Sequence, residues 1–175
     1  MIQARIGVIL GSSSDAPLAR KIAEPLRTLG IPFEVTIASA HRTPQDAVNY
    51  ALKAKSRGIE VIIAVAGLSA ALPGVLSAHT TLPVIGLPVE SGSLLGMDAL
   101  LSTVMMPPGV PVASVGINSA ANAALLAARI VAINDASMTQ KVQEYTDMGA
   151  EKVRAGRADL CDMGDLPLVP ADALK

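Results

Sequence analysis

Cysteine, tryptophan and histidine are nearly missing from this 175-residue chain, which has one Cys, no Trp and two His. A single cysteine closes no intrachain disulfide, and two histidines beside it make no metal-ligand cluster, so no bound metal is expected. Aromatics are as scarce: Phe33, Tyr50 and Tyr145 are the whole set. A flavin is held between aromatic rings, and this chain has almost none to offer. Charge is short too, at 17% against about 25% in an ordinary soluble domain. The signs nearly cancel, with 14 Lys+Arg against 15 Asp+Glu and a pI of about 6.1. Without a basic stripe, neither nucleic acid nor a membrane surface is expected as a partner. No run of about 18 apolar residues is present to span a bilayer. The stretch Met1-Ile2-Gln3-Ala4-Arg5 enters an apolar run with no charged leader, which makes the cytoplasm the expected location.

What is abundant is small and aliphatic. Hydrophobic residues reach 51%, almost all Ala, Val, Leu and Ile. The length suits one domain with a real core. So little charge leaves more apolar surface than one core hides, and an obligate homo-oligomer is expected.

Strand-length apolar runs alternate with helical patterns. Ile6 to Leu10 is continuous, and Asp15 to Leu29 then sets Leu18, Ile22, Leu26 and Leu29 on one helical face, with Pro25 expected to kink it. Phe33 to Ala38 alternates as an edge strand does. Thr43 and Pro44 read as the cap and first residue of a helix ending at Gly58. Val61 to Ala66, Val84 to Leu87 and Val112 to Ile117 are further strands, with helices at Ala70 to Ala78 and Gly96 to Val104. Asn118 or Ser119 caps an Ala-rich helix to Ile133, and a polar helix runs from about Ser137 to Arg157. The Ala-rich helix is apolar nearly all round, so a neighbouring subunit is expected to cover its second side. Five strands separated by helices make a doubly wound parallel α/β sheet of order 2-1-3-4-5, the flavodoxin-like arrangement. Residues 1–158 form this domain, and 159–175 are expected to be a tail lying as an arm on a neighbour.

Ligands of such sheets bind beyond the carboxyl ends of the strands. The first loop there is Gly11-Ser12-Ser13-Ser14-Asp15: amides, hydroxyls and a helix amino end, suited to an anion or a sugar, or simply a helix cap. It is neither a Walker loop nor a GxGxxG turn. The second is Ser39-Ala40-His41-Arg42-Thr43-Pro44, where Arg42 offers a phosphate fork and His41 either an acid/base group or a turn cap. The third is Ala66-Gly67-Leu68-Ser69-Ala70-Ala71-Leu72-Pro73-Gly74. His79 ends a helix and reads as structural, and Cys161 has no basic neighbour to activate it. The methionines read as core, with Met105-Met106-Pro107-Pro108-Gly109 a rigid loop able to line a site.

GSSSD, SAHRTP and AGLSAALPG in this order resemble the 5-(carboxyamino)imidazole ribonucleotide mutase family of purine biosynthesis, and the likeness runs from about residue 5 to 135. The resemblance implies an octamer of flavodoxin-like subunits that needs no metal or organic cofactor. The implied reaction moves a carboxyl group from the exocyclic nitrogen to carbon 4 of an aminoimidazole ribonucleotide. It implies that Ser12 and Asp15, with Gly11 and Ser14, hold the ribose and phosphate end. Ser39 and Arg42, beside Ala40, are the implied phosphate ligands, and His41 is the implied acid/base. Gly67, Ser69, Ala70, Ala71 and Leu72 would wall a tight, dry pocket that retains carbon dioxide.

The family's bacterial pattern reads GGAAHLPG at the third loop, with His where this chain has Ala71. The animal-type carboxylases, which use free carbon dioxide, lack that His and read closer to AGRSN. Leu72-Pro73-Gly74 and the MPPG loop align with the mutases. Carboxylation of aminoimidazole ribonucleotide by free carbon dioxide stays open as the alternative. A non-catalytic, receiver-like module is the third reading, but it wants an acidic cluster after strand one and a Lys after strand five. The chain has Asp15 alone and Ile117-Asn118-Ser119 there.

Overall fold

The computed structural model describes residues 3–161, 169 and 173. Five parallel strands, β1 (Ile6–Leu10), β2 (Phe33–Ile37), β3 (Val61–Gly67), β4 (Val84–Val89) and β5 (Ala113–Ser114), lie in the expected order β2-β1-β3-β4-β5. The helices are α1 (Ala16–Thr28), α2 (Pro44–Ala54), α3 (Leu72–Ala78), α4 (Met97–Val104), α5 (Ala120–Ala132), α6 (Ala136–Ala155) and a short α7 (Ala158–Cys161).

The sheet is built from the inside out by hydrophobicity. β1 and most of β3 and β4 are buried because helices cover both faces, and unbroken Val/Ile/Leu runs are what such strands require. On one face Val8, Ile63 and Ile85 meet α1 and α5; on the other Ile9, Ile62 and Ala64 meet α2 and α3. β2 is the edge, and Val35 and Ile37 remain exposed. Two strand glycines let helices approach the second face. A Cβ on Gly7 would stand 2.0 Å from the Tyr50 hydroxyl, and one on Gly86 2.2 Å from Thr103 Cγ2.

α1 carries Pro25 inside it, its face of Leu18, Ile22 and Leu26 buried against the sheet. Three local expectations are corrected. β5 is two residues, not six. Pro88 of β4 accepts from the Asn118 amide at 2.9 Å but has no N–H to return, so the ladder cannot continue regularly beside it. α3 begins at Leu72 rather than Ala70, leaving residues 68–71 as loop. The second side of the Ala-rich helix α5, expected to need a neighbouring subunit, is covered by α1 and α6 of the same chain. Alanine at 120, 123, 124, 127 and 128 gives it a thin profile that lets these neighbours close over it. Most of the expected 159–175 arm lies outside the described residues.

Candidate active site

The carboxyl ends of β1 to β4 open onto a cleft of about 690 Å³. Gly11, Ser12, Ser14 and Asp15 enter from β1, and Ser39, Ala40, His41 and Arg42 from β2. Gly67, Ser69, Ala71 and Leu72 enter from β3. Thus the sheet gathers every sequence-expected site residue but Ala70, which turns into the core beneath the loop at 2% exposure. The third-loop backbone doubles back there, with the Ala71 amide donating to Ser69 O at 2.7 Å.

The first loop folds through its own polar groups. The Ser12 hydroxyl accepts from the Ser14 amide (3.4 Å) while Asp15 Oδ2 accepts from the Ser12 amide (3.1 Å), a reciprocal cap. The cap and ligand readings of this loop are therefore compatible: the same turn carries the amino end of α1 to the cleft. Asp15 is only 8% exposed, and burial raises its carboxyl above the ordinary aspartate range, opposed by hydrogen bonds from the Ser14 hydroxyl and the Ser12 amide.

The second loop is closed by Thr43, which stands at the N-cap position of α2 with Pro44 following, as expected, but turns its hydroxyl back to the loop and makes no side-chain cap bond. Its hydroxyl accepts from the Ser39 amide (2.9 Å) and faces Ser39 O (3.4 Å), because the chain must reverse between β2 and α2. Ser39 Oγ accepts from the Arg42 amide (3.2 Å), and Arg42 Nη2 reaches Gly11 O (3.5 Å), tying the first two loops together. His41 is exposed and its ring is spent on none of these bonds. It lines the cleft between Ala40 and Arg42.

Ala66 and Leu68 of the third loop line the cleft as well, and a fourth wall, outside the three expected loops, is formed by Val89, Glu90 and Ser91 at the end of β4. The carboxyl-end rule applied to β4 would have reached them. Asn118 is not the cap of α5. It sits in the left-handed region (φ 58), donates from Nδ2 to Glu90 Oε2 (2.9 Å) and accepts from the Glu90 amide (3.0 Å). Leu68 is also left-handed (φ 53), a conformation that costs a leucine roughly 1–2 kcal/mol. The Met105–Gly109 loop does not line the cleft; a Cβ on Gly74 would stand 3.0 Å from Met106 Cε. His79 ends α3 with Nδ1 2.8 Å from Val75 O. The described residues hold no group of His, Cys, Asp and Glu suited to a metal.

Asp15 gives a pH-dependent expectation. A folded carboxyl raised above its unfolded value binds protons that the unfolded chain has released, so its ionisation lowers stability as pH rises through that interval. Asp15→Asn should therefore melt at or above the wild-type temperature at pH 7, with the gain fading as pH falls and Asp15 itself takes up a proton. Thermal melts from pH 7 to 4 check the sign. Ligand affinity should fall in the same variant.

A doubly wound sheet with a guanidinium, hydroxyls and a helix amino end converging on its switch-point cleft defines an α/β protein built to hold a small anionic ligand. This chain belongs to the AIR carboxylase family, whose model matches residues 5–152. It is 50% identical over 159 residues, 91% of this chain and 90% of the relative, to the N5-carboxyaminoimidazole ribonucleotide mutase of Pyrococcus horikoshii. To the mutase of Thermotoga maritima it is 52% identical, over 82% of this chain and 84% of that one. Among solved structures, Treponema denticola PurE superimposes with a TM-score of 0.81 at 34% identity, covering 89% of this chain and 97% of that one.

Proposed function

We propose that this enzyme converts N5-carboxyaminoimidazole ribonucleotide to the 4-carboxylate in purine biosynthesis. The observation that carries the reading is the convergence of GSSSD, SAHRTP and AGLSAALPG on one cleft, in a chain half identical to named mutases over nine-tenths of its length.

The N5–carboxyl bond breaks, releasing carbon dioxide, and its electron pair stays on N5, which takes a proton from the His41 imidazolium. Carbon 4 then attacks the carbon dioxide, and the new C4–carboxyl bond forms. The proton still on carbon 4 passes to neutral His41, restoring both the aromatic ring and the starting charge of the histidine. One proton thus moves from carbon 4 to N5 with no net change at the enzyme. Arg42 and Ser39 hold the phosphate, while Ser12 and Asp15 hold the ribose end. A cleft closed by small residues keeps the carbon dioxide from water. Ala71 lines the cleft where the mutase pattern has His, and it is the one feature that favours the second reading, direct carboxylation of aminoimidazole ribonucleotide.

The assembly we propose is a homo-octamer in the cytoplasm. Its support is an apolar face on and beside α4, where Leu94, Leu95, Met97, Leu101 and Met105 are all exposed. No described helix is long and apolar enough to cross a membrane.

One preparation tests both. Conversion of the carboxyamino substrate at a rate independent of added bicarbonate is the expected result. Turnover only with aminoimidazole ribonucleotide plus bicarbonate would replace the mutase by the carboxylase. Sedimentation of the same sample should show eight copies, and a monodisperse monomer at micromolar concentration would defeat the assembly.

A further inference from the structure

We infer that the Ser69 hydroxyl donates a hydrogen bond to the migrating carboxyl group, in a loop that carries Ala71 in place of a histidine. This rests on the mutase reading above and names the part of the substrate that the third loop recognises.

The strand order sets out the parts of the ligand. With the phosphate on Arg42 and Ser39 after β2, and the ribose end on Ser12 and Asp15 after β1, the base falls to the next loop of the cleft, that of β3. β3 lies two strands from β2, about 10 Å at the usual strand spacing. The reacting end of the substrate, with its carboxyl group, is therefore the end that meets the third loop.

Ser69 is the only polar side chain between Ala66 and Gly74. The mutase pattern GGAAHLPG also has a single polar side chain, but at the position of Ala71, and it has alanine at the position of Ser69. The pattern AGRSN, which lacks the histidine as this chain does, has serine at the position of Ser69. The fold shows why the polar group can change position and still serve the same cleft. Ala70 is turned into the core, and the Ala71 amide donates to Ser69 O at 2.7 Å. Residues 69 and 71 thus flank one tight turn, and both line the cleft.

The Ser69 hydroxyl is also unspent. Five serines line the cleft, and three of them use their hydroxyls inside their own loops. Ser12 Oγ accepts from the Ser14 amide, Ser14 Oγ donates to Asp15 Oδ1, and Ser39 Oγ accepts from the Arg42 amide. The hydroxyls of Ser69 and Ser91 have no hydrogen-bond partner among the described residues. Ser91 follows β4, one strand farther from the phosphate side. A serine hydroxyl is a donor that does not titrate near neutral pH, so Ser69 binds and orients the carboxyl group while His41 moves the proton.

The test is calorimetry on the intact protein with two ligands that differ only in the carboxyl group, aminoimidazole ribonucleotide and its 4-carboxylate. Alanine is the residue that the mutase pattern has at this position, so Ser69→Ala should keep the turn. That variant should bind the 4-carboxylate roughly tenfold or more weakly, the scale of a lost hydrogen bond to a charged group. Its Kd for the uncarboxylated ribonucleotide should not change. Unchanged affinity for both ligands overturns the inference. An equal loss for both also overturns it, and would make Ser69 a shaper of the turn. A selective loss in Ser91→Ala with none in Ser69→Ala overturns it as well, by moving the contact to the β4 loop. All three leave the mutase reading intact. Wild-type protein that binds both ligands but does not convert the carboxyamino substrate overturns that reading alone, and wild-type protein that binds neither overturns both.

Discussion

His41→Asn should fold, assemble and bind the product, yet turn over at least roughly 100-fold more slowly, the usual scale for a lost acid/base group. The loop does not depend on the imidazole, because it is held by Thr43 to Ser39 and by the Arg42 amide to Ser39 Oγ. Asparagine keeps a polar group of similar size while removing the nitrogen that titrates. The proposed mechanism asks His41 to give a proton to N5 and accept one from carbon 4, so both half-steps fail together. Exchange of the carbon 4 hydrogen of aminoimidazole ribonucleotide with deuterated solvent should fall in parallel with turnover. Near-normal turnover in a folded variant would move the proton transfer to another group.

Arg42→Ala has the second-largest expected effect, and it falls on binding. Loss of a charge-assisted phosphate contact costs about 2–3 kcal/mol, or roughly 30- to 150-fold in Kd. The loss should appear for the ribonucleotide and be nearly absent for its dephosphorylated nucleoside, measured side by side by calorimetry. Equal losses for the two ligands would show that Arg42 shapes the cleft without holding phosphate. That outcome has a structural basis to be tested against, since Arg42 Nη2 also reaches Gly11 O across the cleft at 3.5 Å. Arg42→Lys discriminates further: it keeps the charge but loses the planar fork, and should recover only part of the affinity.

Much of this was legible in the residues. An unbroken apolar run such as Ile6–Leu10 or Val61–Ala66 is stable only with both faces covered, so it belongs at the centre of a parallel sheet. The alternation at Phe33–Ile37 belongs to an edge. Once the strand order followed, the loops bearing chemistry had to meet at one end, and the cleft gathers them there. Hydrophobic periodicity determined that α5 is buried on more than one side, but not by what. The tertiary structure decided that α1 and α6 do it, because periodicity records how much surface must leave water and is silent on which surface meets it. The same limit hid Ala70, a small apolar residue in a ligand loop that the turn swings into the core. Backbone geometry was equally out of reach. The left-handed turns at Leu68 and Asn118 arise where loop closure overrides the preference of the residue, so only the folded chain shows Leu68 crossing to Gly92 and Asn118 fixing Glu90.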